Sequence, residues 1–463
     1  MGVMVLFVPK LERQIGIEVY ATRSLGIGGV IRRSPEDFVV EEVLVDGSKA
    51  SIVWSGEHQV LGSSPVPNRY LLCVLIKRNW DTFSAVKAVA DQLDISMARV
   101  STGGIKDAKA VTAQHITIEG EVAEEIQKVH IKDLEIRPVG YFRNRLSSYY
   151  LLGNSFHIAV NLINHTKSVI EKRIAQTVDE LRSLGGVPNF FGYQRFGTTR
   201  PITHLVGKAI IKGNFRKATM LFLAKPSPHE HPESRRAREV LQTTQDFKKA
   251  YEDFPKQLRY ERLMLKQLAE EPADYIGAFK RLPIKLQELF IQAYQSYLFN
   301  KFLSRRIAFG LELSKAEIGD YVVNVENSGL PMQKMRKIAS AETLTEINEA
   351  ISFGKMRLAL PLIGFKQSTS QGVQGEIEKQ ILSKEDVQPR DFKVRAMPKL
   401  PSKGELRTAM IPLNDFSLDN ISSDSAISSK YKVRLSFTLL RGSYATVVLR
   451  ELMKPRNPVE ARF

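Results

Sequence analysis

Two short segments bring together the residue types that chemistry could use. Residues 101–114 read STGGIKDAKAVTAQ. Gly103 and Gly104 allow a tight turn and a close approach of backbone to a ligand. Lys106 and Asp107 follow on that turn, and Ala110-Val111-Thr112 resumes a buried element. Residues 187–200 read VPNFFGYQRFGTTR, crowding Phe190, Phe191 and Phe196 with Asn189, Gln194 and Arg195. Aromatic faces with amide and guanidinium groups beside them are equipment for holding an unstacked nucleic-acid base. Each segment also has a plain reading: a turn with solvated charges, and an aromatic plug in a core.

Other chemistries lack their residues. Gly207-Lys208 is followed by Ala209, so the phosphate-binding loop of nucleotide hydrolases is absent, and Gly26-Ile27-Gly28-Gly29 lacks the strand-turn-helix frame of a dinucleotide site. His229 and His231 share a loop and are expected to be solvated rather than metal ligands. No Gly-x-Ser-x-Gly elbow occurs. The single cysteine, Cys73, excludes a disulfide framework or a cysteine-rich zinc site, and its apolar setting (YLLCVLI) suits an inert core thiol. The reading is of a cytoplasmic protein with no metal and no small-molecule cofactor.

The elements that must position these segments follow from periodicity. Residues 37–45 and 70–76 read as strands, as do 115–118 and 156–163. A helix capped by Asp81 or Thr82 carries Phe83, Val86, Ala90 and Leu93 on one face. A second helix is signed by a Ser168–Glu171 capping box, an apolar stripe from Val169 to Leu181, and the stop Gly185-Gly186. Beyond about residue 200 the texture turns helical after a polar loop at 224–235, and is densest at 286–302, where one side is apolar. Residues 366–377 and 413–430 read as loops. A strand at 433–439 comes so late that it could return to the first sheet, making the middle an insertion.

The chain has 463 residues, 43% hydrophobic and 25% charged, with 67 Lys+Arg against 50 Asp+Glu and a net charge of +17. The surplus points to a polyanion, nucleic acid before an anionic membrane. Six Lys/Arg and no acid lie in 191–220, and eight Lys/Arg against two acids in 430–463. Either zone could track a phosphate backbone or be a solvated face. No apolar run approaches a membrane span; the run at 3–8 is too short for a signal peptide, and Leu6 disfavours myristoylation of Met1-Gly2.

Taken in order along the chain, the motifs resemble the TruD family of tRNA pseudouridine synthases, in its archaeal form. They are Pro35-Glu36-Asp37-Phe38-Val39-Val40-Glu41; Gly104-Ile105-Lys106-Asp107 with Ala110-Val111-Thr112 and Gln114; Leu152-Gly153-Asn154-Ser155-Phe156; Asn189-Phe190-Phe191-Gly192 with Gln194-Arg195-Phe196-Gly197; Gln292 to Ser296 with Phe299-Asn300; and Gly442-Ser443-Tyr444-Ala445-Thr446 leading to Arg450-Glu451. The resemblance implies an α+β fold. A pseudouridine-synthase catalytic domain with a mixed, largely antiparallel sheet (1–205 and 403–463) would be interrupted by an inserted α/β TRUD domain (206–402).

It also implies a function: an isomerase that converts a uridine of tRNA, at D-arm position 13, to pseudouridine in a basic interdomain cleft. Asp107 would be catalytic, as nucleophile at C1′ or base at C2′. Arg32 would face it, where bacterial members carry lysine. Phe191 and Phe38 would flank the flipped uracil, with Asn189 beside it and Lys106, Gln114, Arg195 and Tyr444 also in the substrate site. tRNA is the implied partner, and a monomer is favoured. The alternative is a non-catalytic tRNA-binding or RNA-chaperone protein on the same scaffold, which has no need for a carboxylate in an anionic groove.

Overall fold

The computed structural model describes residues 6–53, 63–64, 66–121, 123–398, 400, 402–424, 427 and 429–463. Met1-Gly2 and residues 3–5 of the first apolar run lie outside the described residues. In chain order the strands are β1 (Phe38–Leu44), β2 (Tyr70–Arg78), β3 (Val100–Thr102), β4 (Val111–Glu119), β5 (Leu134–Phe142), β6 (Leu151–Ile163) and β7 (Val187–Pro188). There follow β8 (Tyr321–Val325), β9 (Pro331–Ile338), β10 (Met356–Leu362), β11 (Glu405–Thr408), β12 (Met410–Ile411), β13 (Asn414–Ser423) and β14 (Tyr431–Leu440). The helices that shape the site are α1 (Thr82–Gln92), α2 (Lys167–Ser183), α3 (Thr203–Ile211), α4 (Ile284–Ala308), α5 (Gly372–Lys384) and α6 (Ala445–Met453).

The larger sheet runs β13-β14-β6-β1-β4-β2-β5, with β3 against β4. Among the described residues of this sheet only β1 with β4 is parallel, Val39 lying opposite Val111; the other pairs are antiparallel. That one parallel pair matters to the site. It brings the starts of both strands to one end of the sheet, so the segments leading into β1 and β4 meet there. The continuous apolar run of β2 fits its place between β4 and β5: Cys73 and Leu75 pack with Val86 and Val89 of α1, while Val74 and Ile76 pack with Ala50 and Ala113 on the opposite face. Burial pushes the Cys73 thiol up, so it stays protonated and inert.

Local readings differ from the structure at several places. The α1 cap is Asp81, which accepts from Ser84 N at 2.9 Å. The helix buries Thr82, Ala85, Val86, Val89 and Ala90, and Phe83, on the edge of that stripe, is 53% exposed. The second helix starts one residue before Ser168, which therefore sits inside the first turn and forms no capping box; Thr166 is the cap residue and makes no side-chain cap bond. Its stripe of Ile170, Ile174, Val178 and Leu181 is buried as expected. Residues 413–430 are not a loop throughout. They contain β13, an exposed polar edge strand whose pairing with β14 supplies the order that its composition hides. The other expected loop, 366–377, gives way to α5 at Gly372.

The smaller sheet runs β11-β10-β8-β9. Against it lies α4, which is buried around most of its circumference rather than on one side. A helix buried all round needs partners for its polar side chains. Arg306 makes a bidentate pair with Asp320 at 2.9 and 2.8 Å, and Gln295 donates to Ile363 O at 2.6 Å. Gly207 of α3 permits close crossing over α4, since a Cβ there would stand 2.0 Å from Phe290 O. On its way back the chain pairs β12 with β7 in a separate two-stranded sheet, and β13 and β14 then rejoin the larger sheet, β14 pairing along β6.

Candidate active site

The Gly103-Gly104 turn lies over the sheet face formed by Glu42, Gln114 and Asn154. Its interior is tied down by three residues. Gln114 Nε2 donates to Gly104 O at 3.1 Å, and Lys106 N donates to Thr82 Oγ1 at 3.0 Å. Lys106 turns inward, where its Nζ bridges Glu42 Oε2 at 2.7 Å and Asn154 Oδ1 at 2.6 Å. Burial alone would raise the Glu42 carboxyl, but Lys106 and His115 outweigh it and hold it below its ordinary value. With Lys106 and Gln114 spent on the turn, Asp107 is the turn's accessible carboxylate, 37% of its side chain exposed, between the more exposed Ile105 and Lys109.

Arg32 reaches Asp107 from the segment before β1. Asp37 shapes that segment by accepting from Arg33 N at 3.0 Å and Ser34 N at 3.1 Å, and Arg32 itself has a left-handed backbone, φ +54°, uncommon for a residue with a Cβ. Its Nη2 donates to Asp107 Oδ1 at 3.2 Å, and its guanidinium lies 3.9 Å from the centre of the Phe38 ring. From below, Lys77 donates to Asp107 O at 2.7 Å and Trp80 O at 2.6 Å. Burial lowers the Lys77 amine to about 8, with the Asp107 charge opposing. Asp107 is thus fixed through its main chain by one cation and faced at its carboxylate by another.

A second group forms around Phe191. Its N–H donates to Asn300 Oδ1 of α4 at 2.8 Å. Its ring meets Phe299 edge-on at 5.6 Å and Tyr444, the residue before α6, at 6.1 Å. The Arg407 guanidinium lies 4.0 Å from the centre of that ring and the Arg195 guanidinium 5.4 Å. Arg407 Nε donates to Asn189 O at 3.0 Å, and its Nη2 to Asn189 Oδ1 and, at 2.9 Å, to Gly442 O. Asn189 Nδ2 donates to Thr408 O at 3.0 Å and Thr408 Oγ1 at 3.1 Å. Burial, reinforced by Arg195 and opposed by Tyr444, brings Arg407 down to about 10, so it remains a cation at neutral pH. Among the described residues neither Arg195 nor Arg407 has a carboxylate partner, and Arg195 Nε is buried without a hydrogen bond.

The two groups border one large apolar cluster, which includes Phe38, Ala110, Phe190 and Phe191. They are also joined through β6 and β14: Asn154, which accepts from Lys106, lies opposite Leu439, three residues before Gly442. The contacts therefore gather Asp107, Arg32 and Phe38 on one side and Asn189, Phe191, Arg195 and Tyr444 on the other. Lys106 and Gln114 stand beneath the turn. Sequence reasoning missed Lys77 and Arg407. Lys77 had a faint signal, since it lies two residues beyond Leu75 on the inward face of β2. Arg407 had none, being one of several Lys and Arg residues between Lys393 and Arg407 with nothing to set it apart. Chemically, the ensemble offers a partly exposed carboxylate beside a cation, and aromatic faces beside amide and guanidinium groups.

Comparisons with known proteins agree on one family. The family model for tRNA pseudouridine synthase D (TruD) matches residues 14–452. The chain is 38% identical over 453 residues to a Methanosarcina mazei protein named "Probable tRNA pseudouridine synthase D", covering 98% of this chain and 99% of that one. It is 37% identical over 435 residues to the protein of the same name from Thermococcus onnurineus, covering 94% and 97%. The crystal structure of a TruD protein from Methanosarcina mazei superposes with a TM-score of 0.83 at 38% identity, covering 98% of this chain and 99% of that one.

Proposed function

Because the chain belongs to the TruD family of tRNA pseudouridine synthases, we propose that it isomerises a D-arm uridine of tRNA with Asp107 as the catalytic group. The reaction breaks the N1–C1′ bond, turns the base in place and joins C5 to C1′. The proton lost from C5 is balanced by the one gained at N1, so no atom is added. Asp107 would act as nucleophile at C1′ or as base at C2′; both need a carboxylate within reach of the ribose. The observation that carries the reading is the carboxylate itself. Asp107 is a partly exposed carboxylate on a tied-down turn, with the Arg32 guanidinium reaching both Asp107 and Phe38.

In this reading Phe38 and Phe191 flank a uridine drawn from its stack. Lys106 and Gln114 hold the catalytic turn rather than touching RNA. The catalytic part would be 1–205 with 403–463, lending β11 to the smaller sheet of the inserted 206–402 part, and the enzyme would work as a cytoplasmic monomer. Among the described residues no helix is long and apolar enough to cross a membrane. The test is Asp107→Asn, with pseudouridine mapped in tRNA after incubation with purified protein. Loss of product formation with tRNA affinity retained is expected; full activity would remove Asp107 from the chemistry.

A further inference from the structure

Arg407 does more than line the aromatic group. An asparagine amide can be built either way round, but its neighbours here allow one orientation. Thr408 O can only accept and Arg407 can only donate. Asn189 therefore points Nδ2 at Thr408, where both of its hydrogens are used, and Oδ1 at Arg407. The amide has no donor left, but its oxygen keeps a second lone pair. Arg407 is held as firmly: Nε and Nη2 are committed to Asn189 O, Asn189 Oδ1 and Gly442 O, and the guanidinium plane is supported by Phe191. Its Nη1 donates to none of these partners. With no carboxylate partner among the described residues, the cation is not explained as half of an ion pair.

The result is an acceptor and a donor side by side, each fixed in role: Asn189 Oδ1 and Arg407 Nη1. We propose that this pair reads the uracil edge, Asn189 Oδ1 accepting from N3–H and Arg407 Nη1 donating to O4, so that Arg407 is a specificity-determining residue against cytidine. Cytosine presents an acceptor at N3 and a donor at N4, which opposes the pair at both points. A site built to make hydrogen bonds rejects the analogue that leaves its buried polar groups unpaired. The inference rests on the proposed placement of the base beside Phe191 and adds what selects it.

The experiment separates the two claims by using the inactive Asp107→Asn protein as the parent for binding. Two transcripts of one tRNA are compared, the second carrying cytidine in place of the uridine that the active enzyme modifies. The parent is expected to bind the uridine transcript at least about tenfold more tightly. Adding Arg407→Met should bring the two affinities to within about twofold of each other, by weakening uridine binding selectively. Adding Arg407→Lys, which keeps the charge but loses the fork, should fall between. A parent with no preference overturns the inference. So does an Arg407→Met protein that loses affinity equally for both transcripts, since that is a phosphate contact or a structural role. Thermal melting of the same proteins identifies a variant that fails to fold, in which case Arg407→Lys decides. Failure of the catalytic reading is a different event: it is activity in Asp107→Asn, which this ratio does not measure.

Discussion

At the scale of single residues the site depends on cations held by more than the carboxylate group beside them. Arg32 makes one hydrogen bond to Asp107 and lies over the Phe38 ring, 3.9 Å from its centre, so ring and carboxylate together set its place. Arg32→Met should lower the rate of pseudouridine formation by roughly a hundredfold with little loss of stability, as expected when the group that keeps a reacting carboxylate ionised and in position is removed. Arg32→Lys should recover part of it, because an ammonium restores charge but not the stacked plane. Single-turnover kinetics on tRNA checks both. Lys77 gives a prediction in pH. Its amine sits near 8 in the folded chain against an ordinary value of 10.5, so between those values the unfolded chain binds more protons. Stability attributable to Lys77 therefore rises as pH climbs through that window, and is lowest below about 8, where the buried amine is charged. Urea unfolding at pH 7.5 and pH 10 should show that rise in the parent and not in Lys77→Met. The variant should also be less stable throughout, by about 1–3 kcal/mol for each carbonyl left unpaired. Asp107, Asn189 and Phe191 stand out as candidates because glycines and crowded aromatics punctuate the sequence around them. The inward turn of Lys106 and the singular place of Arg407 were not, since neighbouring side chains on a turn diverge and a basic stretch does not mark which of its cations is enclosed.

At the scale of elements, what sequence conveyed was the periodic part. β1, β2, β4, β6 and β14 show as runs of branched and aromatic residues and the stripe of α2 as a 3.6-residue repeat, whereas β3 and β5 gave no such signal. β13 was missed because an exposed edge strand needs no apolar face; only its partner β14 orders it. The all-round burial of α4 was missed for the opposite reason, as its inward polar residues, Gln295, Asn300 and Arg306, look like a solvated side until their partners are known. The contact of α3 with α4 allows a sharp test. In an ordinary helix interior, replacing glycine by alanine stabilises by about 1 kcal/mol. At Gly207 the added carbon would stand 2.0 Å from Phe290 O and 3.2 Å from Tyr294 Cβ. The first of these is rigid backbone, so the helices must separate. Gly207→Ala is therefore expected to destabilise by about 1–3 kcal/mol, the cost typical of overpacking a close contact. A chemical-denaturation midpoint that stays put or rises would show that the crossing has slack.

Across the whole molecule, a net charge of +17 does not by itself locate RNA, because much of one basic zone is used internally. Lys208 pairs with Glu385 at 2.7 Å, Lys212 with Asp386 at 3.0 Å, and Arg200 donates to the carbonyls of Lys225 and Leu221. These cations brace α3 against neighbouring segments instead of facing a phosphate backbone. The same is true of Arg450 in the C-terminal zone, and there the consequence spans the chain. Its Nε donates to Glu12 at 2.7 Å, its Nη1 to Glu451 at 2.7 Å and its Nη2 to Val19 O at 2.7 Å. Glu12 in turn accepts from Tyr193 Oη at 2.5 Å, and Glu451 from Thr22 Oγ1 at 2.8 Å. One buried guanidinium thus ties the N-terminal segment, the loop that carries Asn189 and Phe191, and α6 into a single unit behind the candidate site. Arg450→Met would leave two enclosed carboxylates without a cation, a change that costs about 3–5 kcal/mol. The loss should be local as well as global. Hydrogen exchange should accelerate first in residues 10–22 and 189–196, while the smaller sheet of β8 to β11, which Arg450 does not touch, keeps its protection until global unfolding. Uniform acceleration across both sheets would mean that the guanidinium stabilises the fold without holding its two ends to the site.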